Sequence, residues 1–354
     1  MLRDLEDVQR DLAHVLTGAP RWARQVKRHL RVRAVQGSVA IDGLYACAED
    51  VEAIMAGEAP LQASARVARA IAGYRQVLTY IRLLSGARGF AYDVGLLNAL
   101  SFMMNGETPD LVRTGRGYVR NCETHEVIYE GPDAREVPAL LDELVKWLNS
   151  GDVPAPAYVR AAMAHLNLVE IRPWCDGNGR VARALQTLIL GRGQVGAPGL
   201  SSIEEWLGQT RITFEYYDVL GEVGRDRWSP HDGTLPWIRF CLRAHHMQVQ
   251  RVAQRLREAG EIWMLLEGQV DGLNPRVISA LYEIFVNRRL RRSRYQEDES
   301  LTQGQAARDL RNLAAGGWLR PSGRFYAPGP RMAAIKAEFA ERREPLRDPY
   351  RSTG

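Results

Sequence analysis

The sequence predicts a mainly α-helical protein: a helical bundle carrying one small β-hairpin, followed by a smaller helical unit that ends in a β-prone turn. Three observations predict it. Apolar positions recur near every 3.6 residues among plentiful charges (47 Lys and Arg, 42 Asp and Glu in 354 residues), which is the pattern of amphipathic helices. β-Prone stretches are short: two runs around a polar turn within 113–130 and a β-prone turn at 320–326. The chain is 45% hydrophobic, enough to bury a substantial core, yet no apolar run approaches the ~18 residues that a membrane span needs.

The elements follow in order. Residues 1–30 read as an N-terminal helical segment broken at Gly18-Ala19-Pro20, with a first domain boundary near Arg31. The start, Met1-Leu2-Arg3-Asp4, has early charge and no apolar stretch of the secretory kind. Ser38-Val39-Ala40-Ile41-Asp42-Gly43 is open to a plain reading, in which Ser38 caps a helix and Asp42 is solvated. Gly117-Tyr118-Val119-Arg120 and Glu126-Val127-Ile128-Tyr129-Glu130, closing at Gly131-Pro132, suggest a hairpin. Val137 to Asn149 has helical apolar spacing, and a further helix is expected through His165 to about residue 171.

Residues 171 to 183, Ile-Arg-Pro-Trp-Cys-Asp-Gly-Asn-Gly-Arg-Val-Ala-Arg, carry the chemistry. Asp176-Gly177-Asn178-Gly179-Arg180 is a glycine-rich turn running into the apolar helix Val181–Leu190. Such a turn exposes backbone N–H groups at a helix N-terminus, where the helix dipole favours an anion. Asp176 suits a divalent cation, Asn178 a phosphoryl oxygen, and Arg180 and Arg183 share one helix face three residues apart. A solvated Asx-type loop is the plain alternative. No GxxxxGK[ST] occurs, which excludes a P-loop, and the further spaced acids of a calcium loop are absent.

The stretch resembles the signature of the Fic family, which transfers AMP from ATP to protein hydroxyls: His-x-Phe-x-Asp/Glu-Gly-Asn-Gly-Arg-x-x-Arg. From Asp176 to Arg183 the match is complete, and the resemblance extends over residues 30 to 250. Trp174 stands where the family has phenylalanine, and Arg172 where it has its general-base histidine. Arginine is a donor only and keeps its proton at neutral pH, so Arg172 implies impaired transfer with the phosphate cradle retained. Drift and altered purpose both remain open for it. His165, ~10 Å away along a helix axis, reads as a packing residue, and His125 in the hairpin is the other substitute base to consider.

The resemblance implies more. Ser38, Asp42 and Gly43 are similar to the inhibitory Ser/Thr-x-x-x-Glu-Gly/Asn motif, so Asp42 is expected to pair with Arg183 and oppose the γ-phosphate. Aspartate is one methylene shorter than glutamate, which strains a bidentate pairing or demands a closer helix. The hairpin near 117–130 corresponds to a flap that pairs with the backbone of a target protein. Residues 216–220 and 237–242 correspond to closing helices. ATP and Mg2+ are the implied cofactors, with Gly177, Asn178, Gly179, Arg180 and Arg183 on the nucleotide and Asp176 on the metal.

Beyond a soft boundary in 259–275, Asn274-Pro275 starts a helix that reaches Phe285. The basic run Arg288-Arg289-Leu290-Arg291-Arg292-Ser293-Arg294 precedes the amphipathic segment 301–313, stopped at Gly316-Gly317, and the β-prone turn 320–326. This order resembles a winged helix-turn-helix. The expected domains are thus 31–258 and 259–345, with a polar tail at 346–354. The second domain is either a DNA reader through 275–326, with the basic run on phosphates, or a dimerisation or target-recruiting module; a homodimer is admitted. Four scattered cysteines without CxxC spacing argue against zinc and fit a reducing cytoplasm. Two functions stand: a slow protein adenylyltransferase, or a nucleotide-binding regulator without transfer chemistry.

Overall fold

In a computed structural model, residues 2–17, 20–106, 112–120, 126–195, 202–224, 233–270, 272–340, 346 and 348 are described. The helices and strands in chain order are α1 (Leu2–Thr17), α2 (Ala23–Ile41), α3 (Ala48–Met55), α4 (Ala65–Ser85), α5 (Val94–Asn105), β1 (Tyr118–Arg120), β2 (Val127–Glu130), α6 (Val137–Ser150), α7 (Ala157–Ile171), α8 (Asn178–Arg192), α9 (Glu204–Leu207), α10 (Thr210–Gly224) and α11 (Leu235–Glu267). Then come α12 (Val277–Asn287), α13 (Arg292–Glu299), α14 (Gln303–Ala315), β3 (Leu319–Ser322), β4 (Phe325–Pro328) and α15 (Pro330–Ala340). The protein is mainly helical, as its apolar spacing predicts, and the small hairpin is present. Among the described residues no helix is long and apolar enough to cross a membrane.

The chain forms two compact units, one of residues 1–13, 30–249 and 348–354, the other of 14–29 and 250–347. The expected boundary near residue 31 therefore meets the middle of α2, and residue 259 lies inside α11.

The first unit is organised around α8. Every residue from Arg180 to Leu190 on it is buried, the behaviour of a helix enclosed on all sides. It pairs with α7 through the short 172–177 connection, and α4 and α5 pack on it as well. Trp237 is fully buried, donates its Nε1–H to the Ala162 carbonyl (2.7 Å), and stacks on Phe240. Strands β1 and β2 pair antiparallel, Tyr118 with Glu130 and Val119 with Tyr129, with an irregularity before Arg120. The hairpin turn, with Cys122 and His125, lies outside the described residues.

In the second unit, the Thr302 hydroxyl accepts from the Gln305 N–H and the Gln305 side chain accepts from the Thr302 N–H. This capping box starts α14 where the sequence places a helix. Strands β3 and β4 pair antiparallel from Leu319–Pro328 to Ser322–Phe325, and Leu290 bridges to Tyr326. The Arg289 and Arg291 guanidinium groups lie 5.7 and 5.0 Å from the centre of the Phe325 ring.

Close backbone approach fixes one point of the first unit. A Cβ on Gly37 of α2 would fall within the contact distance of the Glu204 carbonyl, and one on Gly208 would lie 2.6 Å from the Gly37 Cα. Gly37→Ala is therefore expected to destabilise by on the order of 1–3 kcal/mol through overpacking. Gly304→Ala on α14, whose methyl would meet nothing within 4 Å, should be neutral or stabilise by roughly 0.5–1 kcal/mol. Calorimetric scans of both variants check this, and an unchanged midpoint for Gly37→Ala would refute the close-packing account.

Candidate functional site

The loop between α7 and α8 is built by its own side chains. Arg172 ends α7 in the left-handed region (φ 47°), with its N–H donated to the Leu168 carbonyl (3.2 Å). Gly177 also has positive φ (77°), and a Cβ there would lie 2.5 Å from Asn105 Oδ1, so this position accepts glycine alone. Asn105, at the end of α5, donates to the Asp176 carbonyl (2.9 Å) and so props the turn from below. The first helical bond of α8 runs from the Val181 N–H to the Gly177 carbonyl (3.0 Å). The N–H groups of Asn178, Gly179 and Arg180 therefore form the open first turn that attracts anions.

Asn178, expected on a phosphoryl oxygen, also holds the loop itself together. Its side-chain oxygen accepts from the Trp174 N–H (3.0 Å) and its amide donates to the Trp174 carbonyl (2.6 Å). It is buried and staples the loop through its oxygen and one of its two amide N–H groups. Trp174 is buried in the aromatic position and reaches Asn98 Oδ1 through its Nε1–H (3.1 Å).

Ser38 and Asp42 meet the arginines. Ser38 lies inside α2, fully buried, so it is no helix cap. Its hydroxyl and carbonyl accept from Arg183 at 3.1 and 2.9 Å. Gly43 turns the chain out of α2 with φ 73°, and the Tyr217 hydroxyl donates to the Ile41 carbonyl (2.8 Å). Asp42 then faces α8. Its Oδ1 takes a bond from Arg183 Nη2 (3.1 Å), and its Oδ2 stands 2.7 Å from Arg180 Nε.

The expected partner of Asp42 is Arg183 alone. The short aspartate instead gives one oxygen to each guanidinium, and Ser38 fills the rest of the Arg183 fork. Burial of Arg183 would lower its pKa, but the Asp42 charge beside it raises it overall. Arg180 also touches Asn105 Oδ1 (3.3 Å) and Asp176 Oδ2 (3.4 Å).

Arg113, which no sequence motif singles out, joins the hairpin to this loop. Its buried guanidinium donates to the carbonyls of Arg172 (2.7 Å), Gly115 (2.7 Å) and Pro132, and its N–H donates to the Pro173 carbonyl (2.8 Å). A cavity of about 250 Å³ is lined by the hairpin (Val119, Ile128, Tyr129), by Glu170 and Arg172, by 176–179, and by Asp42 and Arg183. Arg172 is partly buried there, its Nε has no hydrogen-bond partner, and burial lowers its pKa.

His165 lies elsewhere. It is fully buried, with Nδ1 on Gln186 Oε1 (2.6 Å) and Nε2 on the Tyr216 hydroxyl (3.0 Å). Gln186 continues the chain to His245 (3.0 Å). His165 is thus a core histidine and not a base. Glu170 is a further site residue that the sequence motifs do not mark. It sits four residues after buried Leu166, on the core stripe of α7, and a carboxylate on such a stripe is the available signal.

Residues 95–190 match the model of the Fic/DOC family. This segment is a Fic/DOC domain. The chain is 30% identical over 155 residues to the protein adenylyltransferase Fic of Aedes aegypti, covering 41% of this chain and 28% of that protein. It is 29% identical over 154 residues to protein adenylyltransferase fic-1 of Caenorhabditis elegans, covering 43% and 27%. It thus spans little more than a quarter of the length of either relative.

The fold is similar to that of a Fic family protein from Desulfovibrio desulfuricans (TM-score 0.55, 20% identity, 92% of this chain and 96% of that one). It is also similar to Fic-1 residues 134–508 from C. elegans (TM-score 0.58, 22% identity, 73% and 72%). The matched segment contains α7, the loop after it and α8 as far as residue 190.

Beneath the cradle, burial depresses His165 and His245 to about 3, from an unperturbed value near ~6.5. The unfolded chain takes up these protons as pH falls below ~6.5 while the folded chain resists until about 3. The stability they contribute is therefore complete above ~6.5 and is lost on acidification, by up to ~1.4 kcal/mol per pH unit for each histidine. Glu170 slopes the other way, so the share of one histidine is read as a difference between two proteins. Urea unfolding from pH 7 to 4 should show a shallower acid loss in His245→Gln than in the native chain; equal slopes would contradict the buried neutral state.

Proposed function

We propose that this chain binds Mg–ATP in the Fic cradle and transfers AMP to a protein hydroxyl, slowly, because Arg172 occupies the position of the family's histidine. The observation that carries the reading is the buried Arg183 lining one cavity with the open first turn of α8, and the buried Arg180 beside it sharing Asp42 with Arg183. Such groups act on phosphate through charge and hydrogen bonds and need no histidine. Gly177, whose missing Cβ leaves room only for Asn105, keeps the backbone turn tight enough to present those donors. Arg172, with its unpartnered Nε, adds a further cation to the same wall.

Asp176 fits the metal role. Its side chain is 76% exposed, and among the described residues no three His, Cys, Asp or Glu side chains gather as a metal cage. Mg2+ bound through one or two carboxylates and substrate phosphates needs no such cage. When bound, the ion offsets charge on the phosphates.

The flap strands, with Val127 and Ile128 exposed, are the proposed docking edge for a target backbone. The two adenylyltransferase relatives support ATP as the nucleotide. A second reading, a nucleotide-responsive regulator without transfer, is favoured by the second unit. There the order α12, Leu290 bridge, α13, α14, β3, β4 resembles that of a winged helix, and α14 exposes Gln303, Gln305, Arg308 and Arg311. Glutamine and arginine are the side chains that read base edges, and duplex DNA retention that declines with salt would support this reading.

Two outcomes are expected. Native protein should bind Mg–ATP by calorimetry, with binding lost in Arg180→Ala or Asp176→Ala. Its weak self-labelling from ATP should rise in Arg172→His, which places a base where the family has one. No binding at millimolar ATP by folded protein would remove the cradle reading.

The second outcome concerns Asp42. Asp42→Ala frees both guanidinium groups, so ATP should bind several-fold tighter, equivalent to about 1 kcal/mol for a partly exposed clamp, while AMP, lacking the outer phosphates, changes little. Equal shifts for the two nucleotides would mean that Asp42 acts only through the end of α2.

A further inference from the structure

Among the described residues three carboxylates line the cavity, Asp42, Glu170 and Asp176. Asp42 is committed to Arg180 and Arg183. Asp176 holds the Gly177 N–H (2.7 Å) and faces Arg180. Glu170 is different. It is only 4% exposed, and its Oε1 has no hydrogen-bond partner. It belongs to the wall that the flap shares: the Tyr129 hydroxyl of β2 donates to the Glu170 carbonyl (2.6 Å), and a Cβ on Gly224 of α10 would lie 3.1 Å from Oε1. A target segment paired with β2 would deliver its hydroxyl from this side.

We propose that Glu170 is the general base of this site, taking the proton of the target hydroxyl in a cavity where Arg172 has no basic lone pair to offer. The inference rests on the transfer reading above. In the step, the O–H bond of the target breaks and its proton passes to a Glu170 carboxylate oxygen. The freed oxygen bonds to the α-phosphorus of ATP, the bond from that phosphorus to the β-bridging oxygen breaks, and pyrophosphate leaves with the electron pair. His165 is no rival, since both of its ring nitrogens are engaged and it does not line the cavity.

Burial pushes the Glu170 carboxyl up to about 8. A base serves best when its pKa lies near the working pH. Among the described residues, the ionisable groups around it are Tyr129 on β2, Arg113 before β1, Tyr216 and Tyr217 on α10, Arg172 at the end of α7, Asp42 after α2, and Asp176 and Arg183 at the start of α8. Desolvation is what moves it, not any one of these charges.

The test uses the full chain with magnesium and ATP labelled at the α-phosphate, reading self-labelling and pyrophosphate release. Glu170→Gln is the informative change, because the buried carboxyl is neutral at pH 7 and an amide copies its shape. Transfer by native protein should rise about tenfold per pH unit up to about 8 and then level. Glu170→Gln should lose roughly 10²-fold or more, with ATP affinity by calorimetry within about twofold of native. Glu170→Gln combined with Arg172→His should transfer again, with a profile that levels near ~6.5.

In the free protein, one carboxyl resonance of 13C-glutamate should titrate near 8 and be absent from Glu170→Gln. If Glu170→Gln keeps the native rate and profile, or the resonance titrates in the ordinary carboxylate range, Glu170 is not the base and the transfer reading survives. Glu170 is equally ruled out if only proteins carrying Arg172→His transfer. If neither native protein nor Arg172→His transfers while ATP binds, the transfer reading itself is overturned.

Discussion

Two buried guanidinium groups share one aspartate, and much of the site depends on that arrangement. Arg183 is 1% exposed and Arg180 4%, and a buried cation is tolerated only with charge and hydrogen bonds around it. Asp42 supplies one oxygen to each, and Ser38 completes the Arg183 fork from within α2. The end of α2 is consequently fixed against the start of α8. Tyr217 holds the Ile41 carbonyl from α10, so three helices meet at a point set by charge. The same carboxylate occupies the donors that a polyphosphate would use, which ties the stability of the empty site to its affinity for an anion.

A second constraint comes from backbone carbonyls. The turn after α7 leaves the carbonyls of Ile171, Arg172 and Pro173 without helical partners, as any helix end does. Arg113 satisfies this edge and the Pro132 carbonyl of the hairpin together. A single side chain thereby sets the distance between flap and cradle. Asn178 and Asn105 do similar work inside the loop with neutral amides. The glycine turn is therefore braced by its own neighbours, and an anion entering it would have little loop entropy to remove.

The interior chemistry of the first unit separates into two buried groups of opposite tendency. His165, Gln186, His245 and Tyr216 form a chain of satisfied neutral bonds, which rigidifies the core without charge. Glu170 sits closer to the cavity with one oxygen unsatisfied, and an unpaired buried carboxyl costs stability. Unsatisfied polar atoms of this kind are where structure is held for chemistry rather than for packing.

The sequence by itself determined the helical class, the glycine turn, the position of α6 and α14 and, through the resemblance of a short motif, the pairing of Asp42 with Arg183, because each of these rests on local spacing or on a short motif. The helix period is written along the chain, and glycine at 177 answers a local φ requirement. What the tertiary structure decided is different in kind. Asn178 turns inward to hold Trp174 only because the loop is closed between two packed helices. That Asp42 would also meet Arg180, that Arg113 would bridge hairpin and loop, and that Glu170 would be buried on the flap side depend on contacts between segments far apart in the chain. Such contacts are fixed by the packing of α2, α7, α8 and α10 against one another. Charge type can be read from a sequence, but which charges become neighbours, and how much water is removed from them, is set only when the helices close.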